Sequence, residues 1–251
     1  MRRWASCRAS CRSVGVAAQA AASGWAGRTA YNRGQILYRL GEMLEARRAE
    51  TIDTLARFGA ARAAATREVD AATDRLVHYA GWADKYEQVL GNVNPVASPH
   101  FNFTVTEPMG VVGVIAPDAP ALLGLISLVA PVIVSGNTVI VLASEKTPYP
   151  AVLLGEMLAT SDLPGGVVNL LTGFRRELLP TFATHAHLRA ISAAASADER
   201  QALRLGAAES VKRVRFTELA SPADWLGAGG QSVHAIRDFV EFKTIWHPVG
   251  A

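Results

Sequence analysis

Only two cysteines could supply a thiol nucleophile or a thiolate metal ligand, and both lie near the N-terminus. Cys7 and Cys11 form a Cys-x-x-x-Cys pattern on a basic segment, without another cysteine or a histidine close by. Two such thiols make no disulfide framework, and a zinc site needs more ligands than these. We therefore predict neither at this position. The low cysteine content is typical of a reducing, cytoplasmic setting.

The histidines offer one short pattern, His185-x-His187. It falls on a predicted loop between a helix and a strand and has no third ligand, so a solvated pair is favoured over a metal site. His78 falls in a predicted helix among packed residues, where a core histidine with satisfied hydrogen bonds is the default interpretation. The glycines form no G-x-G-x-x-G dinucleotide fingerprint, and no metal ligand is predicted anywhere in the sequence.

The positive charge of the chain is concentrated in residues 1–16, a segment without acidic residues. Its basic residues are Arg2, Arg3, Arg8 and Arg12. Removing these four from the net charge of +3 leaves −1 for the remainder, which is no footprint for nucleic acid. The segment has the composition of an organellar transit peptide, although a poorly ordered terminus is the interpretation we favour.

A nearly continuous apolar stretch, 119–143, could be mistaken for a membrane span. Pro120 and Pro131 interrupt this stretch, and Ser135-Gly136-Asn137 marks a turn before β-branched residues begin. A buried helix followed by a buried strand explains the pattern better than a span does. We therefore predict no membrane partner.

Two amphipathic helices are predicted ahead of the main strands, over 29–58 and 68–90. The segment 101–105 alternates apolar and polar residues, which predicts a half-exposed strand. Beyond it, strands are predicted over 111–116, 138–142, 167–171, 189–192 and 211–216, with helices over 122–134, 150–160, 177–183 and 198–205 between or beside them. Residues after Glu218 are loop-like until a short helix at 233–239 and an edge strand at 240–249.

The alternation of strands and helices predicts an α/β fold with a doubly wound parallel sheet. The chain of 251 residues, 50% of them hydrophobic, is large enough for one sizeable core. Ligands of such sheets bind beyond the carboxyl ends of the strands. The candidate site is therefore placed at the loops after Ala116 and Leu142.

Five segments, in order, resemble the cofactor domain of the aldehyde dehydrogenase superfamily. They are EPMGVVGVIAP (107–117), LVAP (128–131), SGNTV (135–139), EKTP (145–148) and LPGGVVN (163–169). Arg33 and the stretch 47–50 are similar to the family's N-terminal helices, and KTIW (243–246) is similar to its C-terminal oligomerisation strand. The family's catalytic domain is missing between Glu218 and Val233. The chain most resembles the truncated second domain of two-domain aldehyde dehydrogenases.

The resemblance implies the family's cofactor-domain fold, with N-terminal helices, a C-terminal oligomerisation strand and no catalytic domain. We accordingly predict a basic tail over 1–16. The N-terminal and nucleotide-binding domain is expected over 17–218. A linker and the oligomerisation segment are expected over 219–251.

The resemblance also shows which catalytic groups the chain lacks. Aldehyde oxidation in this family requires a thiolate that attacks the carbonyl carbon, and no cysteine follows Cys11. The family's Trp-Asn-Phe-Pro motif supplies an oxyanion-stabilising Asn, at whose position Ala119 stands beside Asp118. Glu218 is the candidate remnant of the family's general base, without a thiol to activate. We predict no catalytic residue.

The family's contacts to NAD(P) are reduced in number. Its Lys-Pro-Ala-Glu motif, which reaches the adenosine ribose, corresponds to Leu142–Glu145, so that only Glu145 survives. The Thr-Gly-Ser loop beneath the pyrophosphate reads Ser192-Ala193-Ala194, and the lost glycine removes close backbone approach. The candidate cofactor contacts are Pro117, Ser144 and Glu145. NAD(P) is the cofactor that the resemblance implies, with weakened binding.

Three hypotheses remain open from the sequence. The first is a non-catalytic subunit that assembles with a full-length aldehyde dehydrogenase, or with itself, through an otherwise exposed edge strand. The second is a residual nucleotide-binding module built around Glu145. The third is an NAD(P)-dependent aldehyde oxidoreductase that is active only within a complex and uses a partner's thiol. No nucleic acid is expected as a partner.

Overall fold

The computed structural model describes residues 2–218 and 221–250, with side chains described from residue 13 onward. Helices dominate the first part of the chain and alternate with strands after it. The helices are α1 (Arg2–Ala26), α2 (Ala30–Ala46), α3 (Arg48–Arg57), α4 (Arg62–Trp82), α5 (Tyr86–Leu90), α6 (Ala121–Val134), α7 (Tyr149–Thr160), α8 (Arg175–Thr184), α9 (Ala197–Ala208), α10 (Pro222–Leu226) and α11 (Val233–Arg237).

The strands form two separate sheets. They are β1 (Asn92–Asn94), β2 (His100–Pro108), β3 (Val111–Ile115), β4 (Thr138–Leu142), β5 (Val168–Leu171), β6 (Leu188–Ala193), β7 (Arg213–Phe216) and β8 (Val240–Pro248). Five of them make a parallel sheet in the order β5-β4-β3-β6-β7, and the order reverses between β3 and β6. The predicted α/β fold with a parallel sheet and N-terminal helices is confirmed.

The side chains of the central strands are buried on both faces of the sheet. Val112, Val114 and Val141 pack with α6 and the N-terminal helices. Ile115 and Leu142 belong to a second cluster with residues of α1, α8 and α9. Continuous apolar strands are typical of a parallel sheet with helices on both faces.

Helix α6 accounts for the apolar stretch that resembles a membrane span. All of its residues are buried, and the turn at Gly136 leads directly into β4. Among the described residues, no helix combines the length and the apolar character needed to cross a bilayer. The stretch therefore belongs to the core, as predicted.

Helix α1 passes through the segment that we predicted as a tail. The alanine-rich sequence favours a helix, and the structure continues it from Arg2 to Ala26 without a break. Its second half packs on the sheet, where the Thr138 hydroxyl donates to the Ala18 carbonyl at 3.0 Å. At Gly166, with φ +88°, a Cβ would lie 2.7 Å from the Ala17 carbonyl oxygen, so glycine is required for this close approach.

The predicted helix over 29–58 is two helices. Its path breaks at Arg47, whose φ of −104° and ψ of 19° end α2. The Arg47 guanidinium binds Glu50 at 2.8 Å and Glu156 of α7 at 2.7 Å. The hydrophobic period continues through the break, which is why the sequence pattern concealed it.

The second sheet is antiparallel, with the order β1-β2-β8. Strand β8 pairs with β2 along its whole length, from His100 opposite Pro248 to Pro108 opposite Val240. The Thr104 and Thr244 hydroxyls lie 3.0 Å apart across this pair. The predicted C-terminal edge strand is therefore present, whereas β1 was missed because two of its three residues are asparagines, which favour loops.

The segment from α10 to α11, predicted mostly as loop, is held to the body by one buried guanidinium. Arg75 of α4 is 1% exposed and donates to Ser127 Oγ at 2.7 Å, to the Trp225 carbonyl at 2.8 Å and to the Gly230 carbonyl. No carboxylate in the described chain pairs with it, and burial lowers its pKa. These three hydrogen bonds fix the segment across α4 and α6.

We expect Arg75→Ala to destabilise the protein by about 2–4 kcal/mol, because two buried acceptors and one partly buried acceptor lose their donor and a cavity remains. Equilibrium unfolding in urea measures this loss. Limited proteolysis should also cut the variant faster between α10 and α11 than the wild-type chain.

Arg39→Ala is the matched control, since Arg39 is half-exposed and pairs only with Glu42 on its own helix. Exposed pairs of this kind contribute little to stability. An Arg75→Ala variant as stable as Arg39→Ala would show that the buried guanidinium does not hold the segment.

Candidate functional site

The candidate site lies where β3, β4 and β6 end, because a parallel sheet brings their carboxyl ends to one edge. Ala116, Ala143 and Ala194 follow these three strands directly. The sequence predicted Pro117, Ser144 and Glu145 as cofactor contacts. The structure places Ser144 and Glu145 in the loop after β4, and it buries Pro117 against Gly124 of α6.

Asp118 and Ser144 join the first two loops. Ser144 is 2% exposed, and its hydroxyl donates to Asp118 Oδ1 at 2.9 Å. The same hydroxyl oxygen accepts the Thr147 amide at 2.9 Å. The Lys146 ammonium lies 3.8 Å from Asp118 Oδ2. The Ser144 hydroxyl therefore both donates and accepts a hydrogen bond within the protein.

Glu145, the surviving residue of the family's ribose motif, is also engaged. Its Oε2 accepts the backbone amide of Arg175 at 2.9 Å, at the beginning of α8. The residue remains exposed to solvent. Glu145 therefore connects the loop after β4 to the helix that follows β5.

Arg175 crosses the edge of the sheet. Its guanidinium donates to the Ala116 carbonyl after β3, to the Ala194 carbonyl after β6 at 3.2 Å, and to Glu199 Oε2 at 3.2 Å. The side chain is only 14% exposed. Its Nε is buried and has no hydrogen-bond partner within the described part of the chain. A cation thus occupies the point where the strand order reverses.

A capping box begins α9. Ser196 is the N-cap: its hydroxyl accepts the Glu199 amide at 3.3 Å, and its own amide donates to Glu199 Oε2 at 2.8 Å. Such boxes satisfy amides that a helix N-terminus leaves free. Of the segment Ser192-Ala193-Ala194 that we compared with a phosphate-binding loop, Ser192 and Ala193 lie in β6 and Ala194 follows the strand. Two amides at this helix start, those of Ser196 and Glu199, are thus bound by the capping box itself.

Two positions that correspond to catalytic residues of the family, Ala119 and Glu218, lie in the described part of the chain. Ala119 is exposed and has no polar side chain to stabilise an oxyanion. The Glu218 carboxylate is 80% exposed and pairs with Arg200 at 3.0 Å, which gives it none of the burial that tunes a general base. The remainder of the Glu-Leu-Gly-Gly comparison, Leu219 and Ala220, lies outside the described residues.

The residues present do not fit the pyrophosphate of a nicotinamide dinucleotide. A phosphate at a helix N-terminus needs free amides and a local excess of positive charge. Here the Glu199 carboxylate takes the Ser196 amide and the Arg175 guanidinium. Asp118 and Glu145 add two further carboxylates at the same edge.

Beside this edge, an apolar groove of about 410 Å³ runs between α8 and α9. Ala183 and Gly206 bring the two helices together, since a Cβ on Gly206 would lie 2.6 Å from that of Ala183. Arg176, Asp198 and Glu199 lie at its rim. The groove offers packing surface, with polar groups confined to the rim.

The histidines form no metal site. The rings of His185 and His187 lie edge to face with centroids 5.4 Å apart, and no group of three potential ligands occurs among the described residues. His78 differs from its default interpretation: its Nε2 is buried without a hydrogen-bond partner in the described chain, and burial lowers its pKa. Its ring instead packs edge to face on Tyr79 at 5.1 Å.

Sequence reasoning missed Arg175 and Glu199. The Ser-x-x-Glu spacing of Ser196 and Glu199 is a capping-box signature, and it could have placed the helix start. No local signal could show that Arg175 reaches Ala116 and Ala194, because those residues are brought together only by the strand order.

Glu68 reaches the same region from α4. Its Oε1 accepts the Leu122 amide at 2.8 Å and the Leu123 amide at 3.2 Å, at the beginning of α6. Burial raises the pKa of this carboxyl, although the two amide hydrogen bonds act in the opposite direction. Glu68 therefore caps the helix that the rest of the core surrounds.

The family model described as "Aldehyde dehydrogenase family" matches residues 5–222. Among curated proteins, "Retinal dehydrogenase 2" of Gallus gallus is 33% identical over 193 residues, which are 76% of this chain and 37% of that protein. "Putative aldehyde dehydrogenase DhaS" of Bacillus subtilis is 28% identical over 76% of this chain and 38% of its own length.

Solved structures give the same result. An NAD-dependent benzaldehyde dehydrogenase from Corynebacterium glutamicum superposes with a TM-score of 0.75 at 28% identity, over 81% of this chain and 45% of that one. PnpE from Pseudomonas sp. WBC-3 superposes with a TM-score of 0.78 at 25% identity, over 81% of this chain and 42% of that one. The chain spans less than half the length of these relatives.

We expect Glu68→Gln to change the pH dependence of stability. An acid with a raised pKa in the folded state contributes stability that is lost as pH rises from its unfolded pKa through its folded pKa. The free energy of unfolding of the wild-type chain, relative to that of Glu68→Gln, should therefore fall over this window and then level off. Urea unfolding of both chains, in steps of about one pH unit from pH 4 to pH 8, measures this difference in the free energy of unfolding.

Comparison with Glu68→Ala distinguishes the effect of the carboxylate's charge from that of its hydrogen bonds to the first turn of α6. It leaves two amides of α6 without their acceptor, so we expect a loss of about 1–3 kcal/mol relative to Glu68→Gln. A pH-independent difference between the wild-type chain and Glu68→Gln would contradict the raised pKa.

Proposed function

The chain belongs to the aldehyde dehydrogenase family, and from that premise we propose that it is a non-catalytic subunit that assembles with a full-length aldehyde dehydrogenase. The free edge of β8 is the proposed contact surface. The observation that carries the proposal is the combination of an exposed edge strand with a site that lacks the chemistry of the family.

The missing chemistry supports a non-catalytic role. A thiolate is the nucleophile that aldehyde oxidation in this family requires, and the sequence holds no cysteine after Cys11. The side chain of Ala119 cannot donate a hydrogen bond to a developing oxyanion. Glu218 is exposed and ion-paired. No described residue supplies these functions from another position at the carboxyl edge.

Strand β8 supports assembly. It lies at one edge of the small sheet, so the backbone groups on its outer side have no partner strand among the described residues. Nearly all of its residues are exposed, including Phe242 at 44% and Trp246 at 57%. An exposed edge strand with large apolar side chains is a template for pairing with another chain.

The partner that fits this edge is a chain carrying an equivalent small sheet. Main-chain hydrogen bonds would extend the β1-β2-β8 sheet by strand addition, and alternate side chains would set its specificity. Glu241 and Lys243 flank Phe242 and are ion-paired within the chain, with Arg213 at 3.0 Å and Glu107 at 2.9 Å, so the apolar side chains Phe242 and Trp246 are what the strand offers to a partner. A full-length relative meets these requirements, and a second copy of this chain is the alternative that the experiment separates.

Co-expression of the tagged chain with a full-length aldehyde dehydrogenase from the same genome tests the proposal. We expect a stable, stoichiometric complex after affinity purification and sizing. Trp246→Lys should lower recovery of the partner by at least about tenfold, since a charge would be buried without a counter-ion.

Leu205→Lys is the control, because Leu205 is an exposed apolar residue of α9, on the other sheet's helical layer. Its substitution should leave recovery unchanged. A monomeric chain that binds no full-length relative would refute the proposal, and an assembly of this chain alone would replace it with self-association. Aldehyde oxidation by the purified chain alone would contradict the non-catalytic role.

A further inference from the structure

We propose that Glu199 is an internal anion that, paired with Arg175, closes the carboxyl edge of the parallel sheet, so that this chain neither binds nor needs a dinucleotide. The inference concerns a surface separate from β8. The inference about Glu199 can therefore be refuted without refuting assembly through β8, and assembly can be refuted without refuting the inference.

The first step is the position of the Glu199 carboxylate. A single oxygen, Oε2, accepts the Ser196 amide at 2.8 Å and the Arg175 guanidinium at 3.2 Å. An amide at a helix N-terminus together with an arginine is the combination that binds phosphate in proteins. Glu199 thus occupies, from within the chain, the position that suits an external anion.

The second step is the attachment of Arg175. Besides Glu199, its guanidinium donates to the Ala116 and Ala194 carbonyls, which end β3 and β6. The backbone amide of the same residue donates to Glu145. Arg175 is therefore fixed at four points around the crevice, and its side chain fills the gap between two strand ends.

The third step is the balance of charge. The Arg175 and Glu199 side chains are 14% and 22% exposed, so each needs the other as a counter-ion. An incoming phosphate would have to displace the Glu199 carboxylate from Arg175. That carboxylate would then be unpaired and close to the negative charge of the phosphate. Removing the carboxylate should reverse this, because the Arg175 guanidinium and the Ser196 amide would then lack an anion.

The test compares pyrophosphate and NAD binding by the full chain and by Glu199→Ala, with calorimetry and thermal unfolding as readouts. For the wild-type chain we expect no binding heat and no shift of Tm at about 5 mM of either ligand. Glu199→Ala should bind pyrophosphate at least about tenfold more tightly than the wild-type chain. The double variant Arg175→Ala/Glu199→Ala should lose this gain.

Glu42→Ala is the matched control. It makes the same change in net charge and breaks the exposed pair with Arg39, which has the same 3.2 Å separation as the pair between Arg175 and Glu199. It should bind neither ligand, so that a general effect of charge is distinguished from opening of the crevice.

If Glu199→Ala fails to fold, Glu199→Gln takes its place, because the amide keeps the size of the side chain and an acceptor for Ser196. A smaller gain, of at least about threefold, is expected of it, because the charge is removed while the Ser196 amide keeps its acceptor. Wild-type binding as tight as that of the variant, or a folded variant without any gain, would overturn the proposal.

Discussion

Helix α6 has no polar face, and its cover comes from elements on both sides of it in the sequence. All fourteen of its residues are buried, so it needs cover on every side. Helices α2, α4, α7, α10 and α11 contact it, together with β3 and β4. Two polar contacts reach it from α4: Glu68 caps its first turn, and Arg75 binds Ser127 while holding the segment from α10 to α11 above it. Through α6, the N-terminal helices are therefore connected to the C-terminal segment from α10 to α11.

At the carboxyl edge of the sheet, side chains of the protein itself form hydrogen bonds with backbone groups that could otherwise bind a ligand. Backbone carbonyls at the ends of strands and backbone amides at the beginnings of helices have no hydrogen-bond partner within their own element. In a nucleotide-binding sheet these groups face the ligand. Here Arg175 takes the carbonyls after β3 and β6, Glu199 takes the amide at the start of α9, and Ser144 binds Asp118. The family fold is thus retained, while these strand-end and helix-start groups are bound by the chain's own side chains. Strand β8 pairs with β2 on one side, and its outer edge has no partner strand among the described residues.

The parallel sheet could be predicted closely because its strands are continuous apolar runs bounded by turns. The predicted strand over 138–142 coincides with β4, and the predicted helix over 122–134 differs from α6 by one residue. Predictions were poorer where a tertiary contact decides the structure. Arg47 breaks a helix as it binds Glu156, and β1 exists only because β2 lies beside it. The sequence motifs identified Ser144 and Glu145 as residues of the carboxyl edge. They could not reveal Arg175, whose partners come from two strands that are distant in sequence.

The most direct measurement of the central claim is hydrogen exchange at the backbone amides of β8, in the chain alone and with an excess of full-length aldehyde dehydrogenase. Pairing of the free edge would slow exchange at the outward-facing amides of Val240–Pro248 by at least about tenfold, while α9 would exchange as before. Such local protection is the result that the account predicts. Unchanged exchange along β8, with the partner in excess and correctly folded, would contradict assembly through this strand.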